Sequence, residues 1–157
     1  MRRVMAIASL VFIGFGSGAG AGATPGQGDI HRGDIARGAH PSDGTIRFQG
    51  GRETVIYTAT LAPGATSGWH RHPGAVVVLV KSGTLTTFGL DRPPCQGEDV
   101  SAGGAYFEDD AANARWPHFV RNRGNVPTEI VITAFNVPAG ASPRTEAEAP
   151  KECADPM

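Results

Sequence analysis

Short runs of β-branched and aromatic residues, separated by glycine and proline, recur between residues 45 and 138 of this chain. The longest are 53–61 (ETVIYTATL), 75–81 (AVVVLVK) and 128–137 (TEIVITAFNV). Shorter segments of the same kind lie at 45–49, 68–72, 84–89, 105–108 and 116–123. Such runs are typical of strands, and no segment has a convincing helical period. We therefore predict an all-β fold in a single domain, either a sandwich or a barrel.

The first 23 residues have a different character from the rest of the chain. Arg2 and Arg3 precede an apolar run at 4–15, and small residues lead to Ala23. A basic start, a short apolar run and a small-residue site are the features of a secretory signal peptide. We predict that residues 1–23 are this peptide and that the protein is secreted or periplasmic. The alternative is an uncleaved anchor, although the run is shorter than the ~20 residues that span a bilayer.

The remaining chain divides by composition into three parts. Residues 24–44 are rich in glycine and charge and predict an extended N-terminal arm. Residues 45–138 hold the strands of the barrel, and residues 139–157 predict a C-terminal coil tail. The net charge is −1, without a basic cluster, which argues against a nucleic-acid partner. No segment after the signal peptide predicts a membrane span.

The two cysteines, Cys95 and Cys153, both follow the predicted cleavage site. Export to an oxidising compartment favours a disulfide between them, which ties the tail to a mid-chain loop. The alternatives are two free thiols, or one thiol acting as a metal ligand. Neither cysteine has a histidine or a second cysteine at ligand spacing, so the disulfide is the prediction that we carry forward.

Three histidines form the constellation most indicative of chemistry. His70 and His72 lie in the segment GWHRHPG, and residues two apart in a strand point to the same face. His118 lies in a later strand, which closure of a barrel can bring opposite them. Imidazole binds Fe, Mn, Ni, Cu and Zn ions. We predict a divalent metal ion held by His70, His72 and His118. The alternative is three buried histidines that form hydrogen bonds without a metal.

The spacing of these histidines resembles the two motifs of the cupin superfamily. The first motif, G-x5-H-x-H-x3-4-E-x6-G, is matched from Gly64 through the two histidines to Gly83. The second, G-x5-P-x-G-x2-H-x3-N, is matched from Gly104 through His118 to Asn122. The segments WHRHPG, KSGTLT and HFVRN are similar to those of small exported bacterial cupins. The resemblance implies a cupin jelly-roll β-barrel.

The chain departs from the cupin pattern at two places. Val76 stands where the first motif has its metal-binding glutamate, and it shares the inward parity of His70 and His72. The P-x-G of the second motif is replaced by an acidic stretch that begins at Glu108. We therefore expect three neutral imidazoles around the metal, with Val76 lining the pocket. Glu108 is a candidate fourth ligand.

Two further residues have parities that suggest a role near the site. Trp116 lies two positions before His118, so we predict that it lines the substrate pocket; the alternative is a core tryptophan. Asn122 shares the parity of His118 and is predicted to order the metal ligands from behind. The alternative for Asn122 is stabilisation of a turn.

The resemblance has functional implications, because some cupin dioxygenases hold Fe(II) with three histidines. It implies a metal-dependent oxidoreductase, dioxygenase-like, that acts on a small molecule. The alternatives are a non-catalytic module that binds a metal or a small ligand, and a structural barrel with relic histidines. The resemblance also implies pairing into a homodimer through edge strands.

Overall fold

The computed structural model of the protein describes residues 33–89, 96–109 and 116–153. The predicted signal peptide at 1–23 and Cys95 lie outside these residues. Within them the chain forms nine strands and one short 3-10 helix, Lys151–Cys153. The strands are β1 Arg52–Leu61, β2 His70–Arg71, β3 Val76–Ser82, β4 Thr84–Phe88, β5 Gly97–Ser101, β6 Ala105–Glu108, β7 Phe119–Arg121, β8 Thr128–Pro138 and β9 Thr145–Glu146.

The strands form antiparallel sheets, as expected for a jelly roll. One sheet has four strands in the order β1-β8-β3-β6, and a second has the order β5-β4-β7. Strand β2 pairs with β9, and a bridge joins its His70 to His118 just before β7. A second bridge joins Thr66, which precedes β2, to Arg121 of β7. The fold is all-β and jelly-roll, which confirms the prediction of fold class.

The main hydrophobic core is formed by residues of both sheets. Val76, Val78 and Val80 of β3 are buried, with Leu85 of β4 and Val120 of β7 in the same cluster. In β3 the residues between these valines are partly exposed, so the run AVVVLVK follows the period of two that a pleated strand imposes. Burial of this face fixes the register, because a shift of one residue would expose all three valines.

Three details of the predicted pattern are wrong. Residues 45–49 form no strand, and Phe48 there is 71% exposed. The predicted loop at 91–99 ends early, because Gly97 and the polar residues after it pair with β4 as strand β5. The tail is not entirely coil, since Thr145 and Glu146 pair with β2. Backbone hydrogen bonding stabilises these polar strands, and the hydrophobic pattern does not report it.

No helix among the described residues has the length and apolar character needed to cross a membrane.

Asn122 stabilises the turn between β7 and β8. Its Nδ2 donates to the carbonyls of Leu61 and Val126, and its Oδ1 accepts from the amide of Gly124. The side chain is fully buried, so water cannot replace these partners. The turn-stabilising alternative for Asn122 is therefore the correct one.

We predict that Asn122→Ala lowers the free energy of unfolding by about 2–3 kcal/mol, because it leaves buried carbonyls without donors. Urea denaturation at equilibrium measures the change. Asn125→Ala is the matched control, since Asn125 is an exposed residue of the same loop, and we expect a change within about 0.5 kcal/mol. Equal effects of the two substitutions would contradict the assigned role.

A second, smaller cluster lies beside the main core. It joins Trp69, Phe88, Phe119 and Cys153, with the rings of Phe88 and Phe119 stacked at 4.3 Å. Cys153 is 4% exposed, and the described residues contain no free cysteine. Phe88 pairs with Gly97, so the ends of the segment that contains Cys95 lie close to this cluster. The Cys95–Cys153 disulfide stays a prediction that this placement supports.

We predict that Cys95→Ser and Cys153→Ser each lower stability by about 2–4 kcal/mol, the usual contribution of a disulfide. The double variant should be little worse than either single one, since both remove the same bond. Thermal unfolding measures the stability, and thiol titration of the exported protein counts free cysteines. Two reactive thiols in the native, oxidised protein would disprove the bridge.

Candidate metal centre

A pair of backbone hydrogen bonds places His70 and His118 side by side. The amide of His70 donates to the carbonyl of His118 at 2.9 Å, and the amide of His118 donates to that of His70 at 3.0 Å. Residues paired in this way across antiparallel strands project their side chains to the same face. The imidazoles therefore meet, with ring centroids 4.4 Å apart.

His72 completes the cluster from the same segment as His70. Its ring lies 4.9 Å from that of His70 and 5.1 Å from that of His118. One nitrogen from each of the three rings lies within 4.8 Å of the others, a spacing that a shared ion can bridge. The three histidines are thus positioned to bind a metal, as the sequence predicted.

Glu108 brings a carboxylate to the same point. Its Oε2 lies 3.1 Å from Nε2 of His118 and 3.4 Å from Nε2 of His72. Glu108 is the register partner of Val76 in the β3–β6 pair, so both side chains lie on the inner face. The Glu108 carboxylate therefore lies on the strand next to Val76, the position where the cupin motif has its glutamate.

Backbone carbonyls orient two of the imidazoles. Nδ1 of His70 donates to the carbonyl of Gly68 at 2.9 Å, and Nδ1 of His72 donates to that of Pro143 at 2.7 Å. A proton on Nδ1 leaves the lone pair of a neutral ring on Nε2, the atom that binds a metal in such an arrangement. These two carbonyls therefore fix the tautomer as well as the direction of each ring.

Burial keeps these two rings neutral. It lowers the pKa of His70 to about 3, helped by the neighbouring His118 and opposed by the bond to Gly68. Burial also lowers the pKa of His72, although the Glu108 carboxylate acts in the other direction. Near neutral pH both rings present lone pairs rather than protons to the centre of the cluster.

The donor set fits a divalent cation. Nε2 of His72 and Oε2 of Glu108 are both acceptors, and they face each other at 3.4 Å. Both ring nitrogens of His118 are buried and have no hydrogen-bond partner among the described residues. Converging acceptors repel one another unless a proton or a cation lies between them. Imidazole and carboxylate donors together suit Zn, Fe, Mn, Ni and Cu ions.

The cluster opens into a cavity of about 200 Å³ inside the barrel. Its wall is mostly apolar, with Leu61, Val78, Ile130 and Ile132 among the lining residues. Ligand sites for drug-sized molecules occupy roughly 300–1,000 Å³. This cavity therefore suits a smaller molecule, held next to the histidines and Glu108.

The cavity is also lined by two tyrosines and an arginine that the sequence pattern did not identify as site residues. They are Tyr57, Tyr106 and Arg144. Burial and the charge of Glu108 raise the pKa of both tyrosines, so their hydroxyls stay protonated at neutral pH. The period-two pattern of β1 placed Tyr57 on the inner face and was the available signal. Arg144 had none, because its position depends on the pairing of β9 with β2.

The structure places the remaining predicted residues as follows. Val76 is fully buried and lines the cavity, as predicted. Asn122 contacts no ring of the cluster in its hydrogen bonds, so its predicted role behind the ligands is wrong. Asp109, next to Glu108, is exposed, and Asp110 lies outside the described residues.

The prediction that Trp116 lines the pocket is also wrong. Trp116 is 41% exposed and is not among the lining residues of the cavity. Strand β7 begins only at Phe119, and Pro117 has no amide hydrogen for a strand ladder. The parity that was extended from His118 back to Trp116 therefore does not hold.

Comparison with solved structures supports the same fold. An uncharacterized conserved protein with a double-stranded β-helix domain, from Klebsiella pneumoniae subsp. pneumoniae, aligns with a TM-score of 0.50 at 21% identity, over 69% of this chain and 90% of that one. An oxalate oxidase aligns with a TM-score of 0.44 at 24% identity, over 54% and 42%. A DMSP lyase from Ruegeria pomeroyi aligns with a TM-score of 0.46 at 14% identity, over 60% and 43%.

Of these three, the alignment with the Klebsiella protein supports the fold alone. The chain spans less than half the length of the oxalate oxidase and of the DMSP lyase. A comparison with curated proteins gives no match. The family profile described as a cupin domain matches residues 57–134, the stretch that contains all three histidines and Glu108. Together with the jelly-roll topology, this match shows that the chain belongs to the cupin superfamily.

Proposed function

We propose that this cupin is a metal-dependent enzyme, a dioxygenase-like oxidoreductase that acts on a small molecule after export from the cell. The observation that carries the proposal is the convergence of three imidazoles and one carboxylate beside a small, mostly apolar cavity that His70, His72 and Glu108 line. His70, His72 and His118 hold the divalent ion, and Glu108 is the fourth ligand. Pairing into a homodimer stays an expectation from the cupin resemblance.

Glu108 changes the electrostatics that the sequence suggested. Three neutral imidazoles leave the full +2 charge on the ion, whereas the carboxylate reduces the net charge of the centre to +1. The three imidazoles and the carboxylate would hold a divalent ion such as Fe, Mn, Ni, Cu or Zn. When bound, such an ion polarises a coordinated oxygen atom and supplies Lewis-acid or redox chemistry.

The protein residues have separate tasks in this proposal. The carbonyls of Gly68 and Pro143 hold the Nε2 atoms of His70 and His72 toward the centre. The apolar wall excludes water from the reacting molecule, which strengthens every electrostatic contact in the cavity. Tyr57 and Tyr106 remain neutral hydroxyl donors, because burial and Glu108 raise the pKa of each.

We predict that Glu108→Gln weakens the affinity for Mn(II) and Zn(II) by about 10- to 100-fold, since it removes a charged donor while keeping the side-chain volume. Calorimetry on metal-stripped protein measures the affinity. Glu129→Gln is the matched control, because Glu129 is a half-exposed strand glutamate paired with Lys81. His118→Ala should abolish tight binding of both metals.

The register pair of Val76 and Glu108 offers a sharper version of this test. The double exchange Val76→Glu with Glu108→Val returns the carboxylate to the strand where the cupin motif has it. If Glu108 is a ligand, the double variant should bind metal within about tenfold of the wild type, because the two positions face the same space. Unchanged affinity in Glu108→Gln would show that the histidines act alone.

We predict that the Fe(II)-loaded protein binds nitric oxide, a stand-in for dioxygen that needs an open position on the ion. Electron paramagnetic resonance under anaerobic conditions detects the adduct. Metal-stripped protein and His118→Ala are the controls, and neither should give the signal. Tight Fe(II) binding without an adduct would contradict the enzyme and favour a non-catalytic metal-binding module.

A further inference from the structure

Arg144 lies at the cavity without a place in the metal chemistry. It precedes β9, whose residues Thr145 and Glu146 pair with Arg71 and His70. This pairing lays the tail across the segment that carries the histidines. The residue before it, Pro143, accepts the hydrogen bond of His72. The guanidinium is thereby fixed beside the metal centre by the same stretch of tail that orients His72.

The guanidinium is anchored on one side only. Its Nη2 donates to the carbonyl of Ser67 at 2.9 Å and to the carboxylate of Glu146 at 2.7 Å. Its Nε is buried and has no hydrogen-bond partner among the described residues. A buried donor that lacks an acceptor costs about 1–3 kcal/mol, so the arrangement is stabilised if a ligand supplies one.

The charges around the cavity indicate which ligand group would accept the hydrogen bond from Arg144. Arg144 is the only arginine or lysine among the described residues that line the cavity. Glu146 is 77% exposed, so water screens much of its charge, whereas the arginine side chain is 29% exposed. One guanidinium matches a single carboxylate in charge and in planar geometry. A phosphate dianion would require further cationic groups.

The cavity wall defines the rest of the ligand. Most of its other lining residues are apolar, and its volume of about 200 Å³ excludes large molecules. The ligand that fits is therefore a small monocarboxylate with a short apolar body. This conclusion rests on the proposed function for the position of the reacting end, but the contact with Arg144 is independent of the metal.

We propose that Arg144 binds the substrate of this site, a small monocarboxylate whose carboxylate accepts a hydrogen bond from the guanidinium Nε while its apolar body lies in the cavity. Arg144 thereby sets the substrate class, because uncharged molecules of the same size leave its Nε without an acceptor. The metal and Arg144 occupy different places in the site, so they bind different parts of one molecule.

The test is calorimetric titration of the full chain with butyrate, both after loading with Zn(II) and after metal removal. 1-Butanol is the uncharged probe of similar size, and inorganic phosphate is the competing anion. We expect butyrate to bind more tightly than either. Arg144→Gln should weaken butyrate binding by about 10- to 100-fold, as expected for the loss of a charge-assisted hydrogen bond.

Two variants separate recognition from loss of fold or of charge. Arg144→Lys keeps the positive charge but has no Nε donor, so we expect weakening intermediate between the wild type and Arg144→Gln. If Arg144→Gln does not fold, the butyrate affinity of Arg144→Lys tests the role of Arg144 instead. Arg71→Gln removes one positive charge from the same strand pair, and its side chain does not line the cavity. We expect it to leave butyrate binding unchanged.

The outcomes distinguish the two proposals. If Zn(II) binds and Arg144→Gln binds butyrate as well as the wild type, the role of Arg144 is disproved and the metal site stands. If Zn(II) does not bind but butyrate binding still depends on Arg144, the metal function fails and this inference stands. Failure of the wild type to bind butyrate in either form, or a preference for phosphate, overturns the inference.

Discussion

The hydrogen-bonded pairing of His70 with His118 is the constraint on which the rest of the site depends. Two backbone bonds force two imidazoles to the same face of the sheet, and the pleat adds His72 two residues later. Burial then deprives His70 and His72 of their protons. A cluster of neutral lone pairs in a low-dielectric interior is costly unless a cation or protons neutralise it.

The C-terminal tail contributes to the site as directly as the barrel does. Its Pro143 carbonyl orients His72, its strand β9 pairs with β2, and its Arg144 enters the cavity wall. Farther along, the amide of Ala147 donates to Trp69, and Cys153 packs against the same tryptophan. A cupin barrel without this tail would retain the histidines but would lose the group that fixes the tautomer of His72.

The sequence predicted the parts of the fold that depend on local period. Alternation in a strand placed His70, His72 and Val76 on one face, and all three line the cavity. It failed where the backbone leaves the ladder, because Trp116 precedes the first residue of β7 and is 41% exposed. Glu108 was identified only as a candidate, since its position depends on the register with β3. Arg144 required the pairing of a two-residue strand, which no hydrophobic pattern reports.

The position of Glu108 follows from its register with Val76. In an antiparallel pair, register partners have Cβ atoms about 4.5–5.5 Å apart and occupy the same face. The side chains of Val76 and Glu108 therefore reach the same space from two neighbouring strands. The charge of Glu108 acts beyond the imidazoles, because it raises the pKa of Tyr57 and Tyr106. Glu108 and Arg144 thus both line the cavity, and the hydroxyls of Tyr57 and Tyr106 in its wall stay neutral.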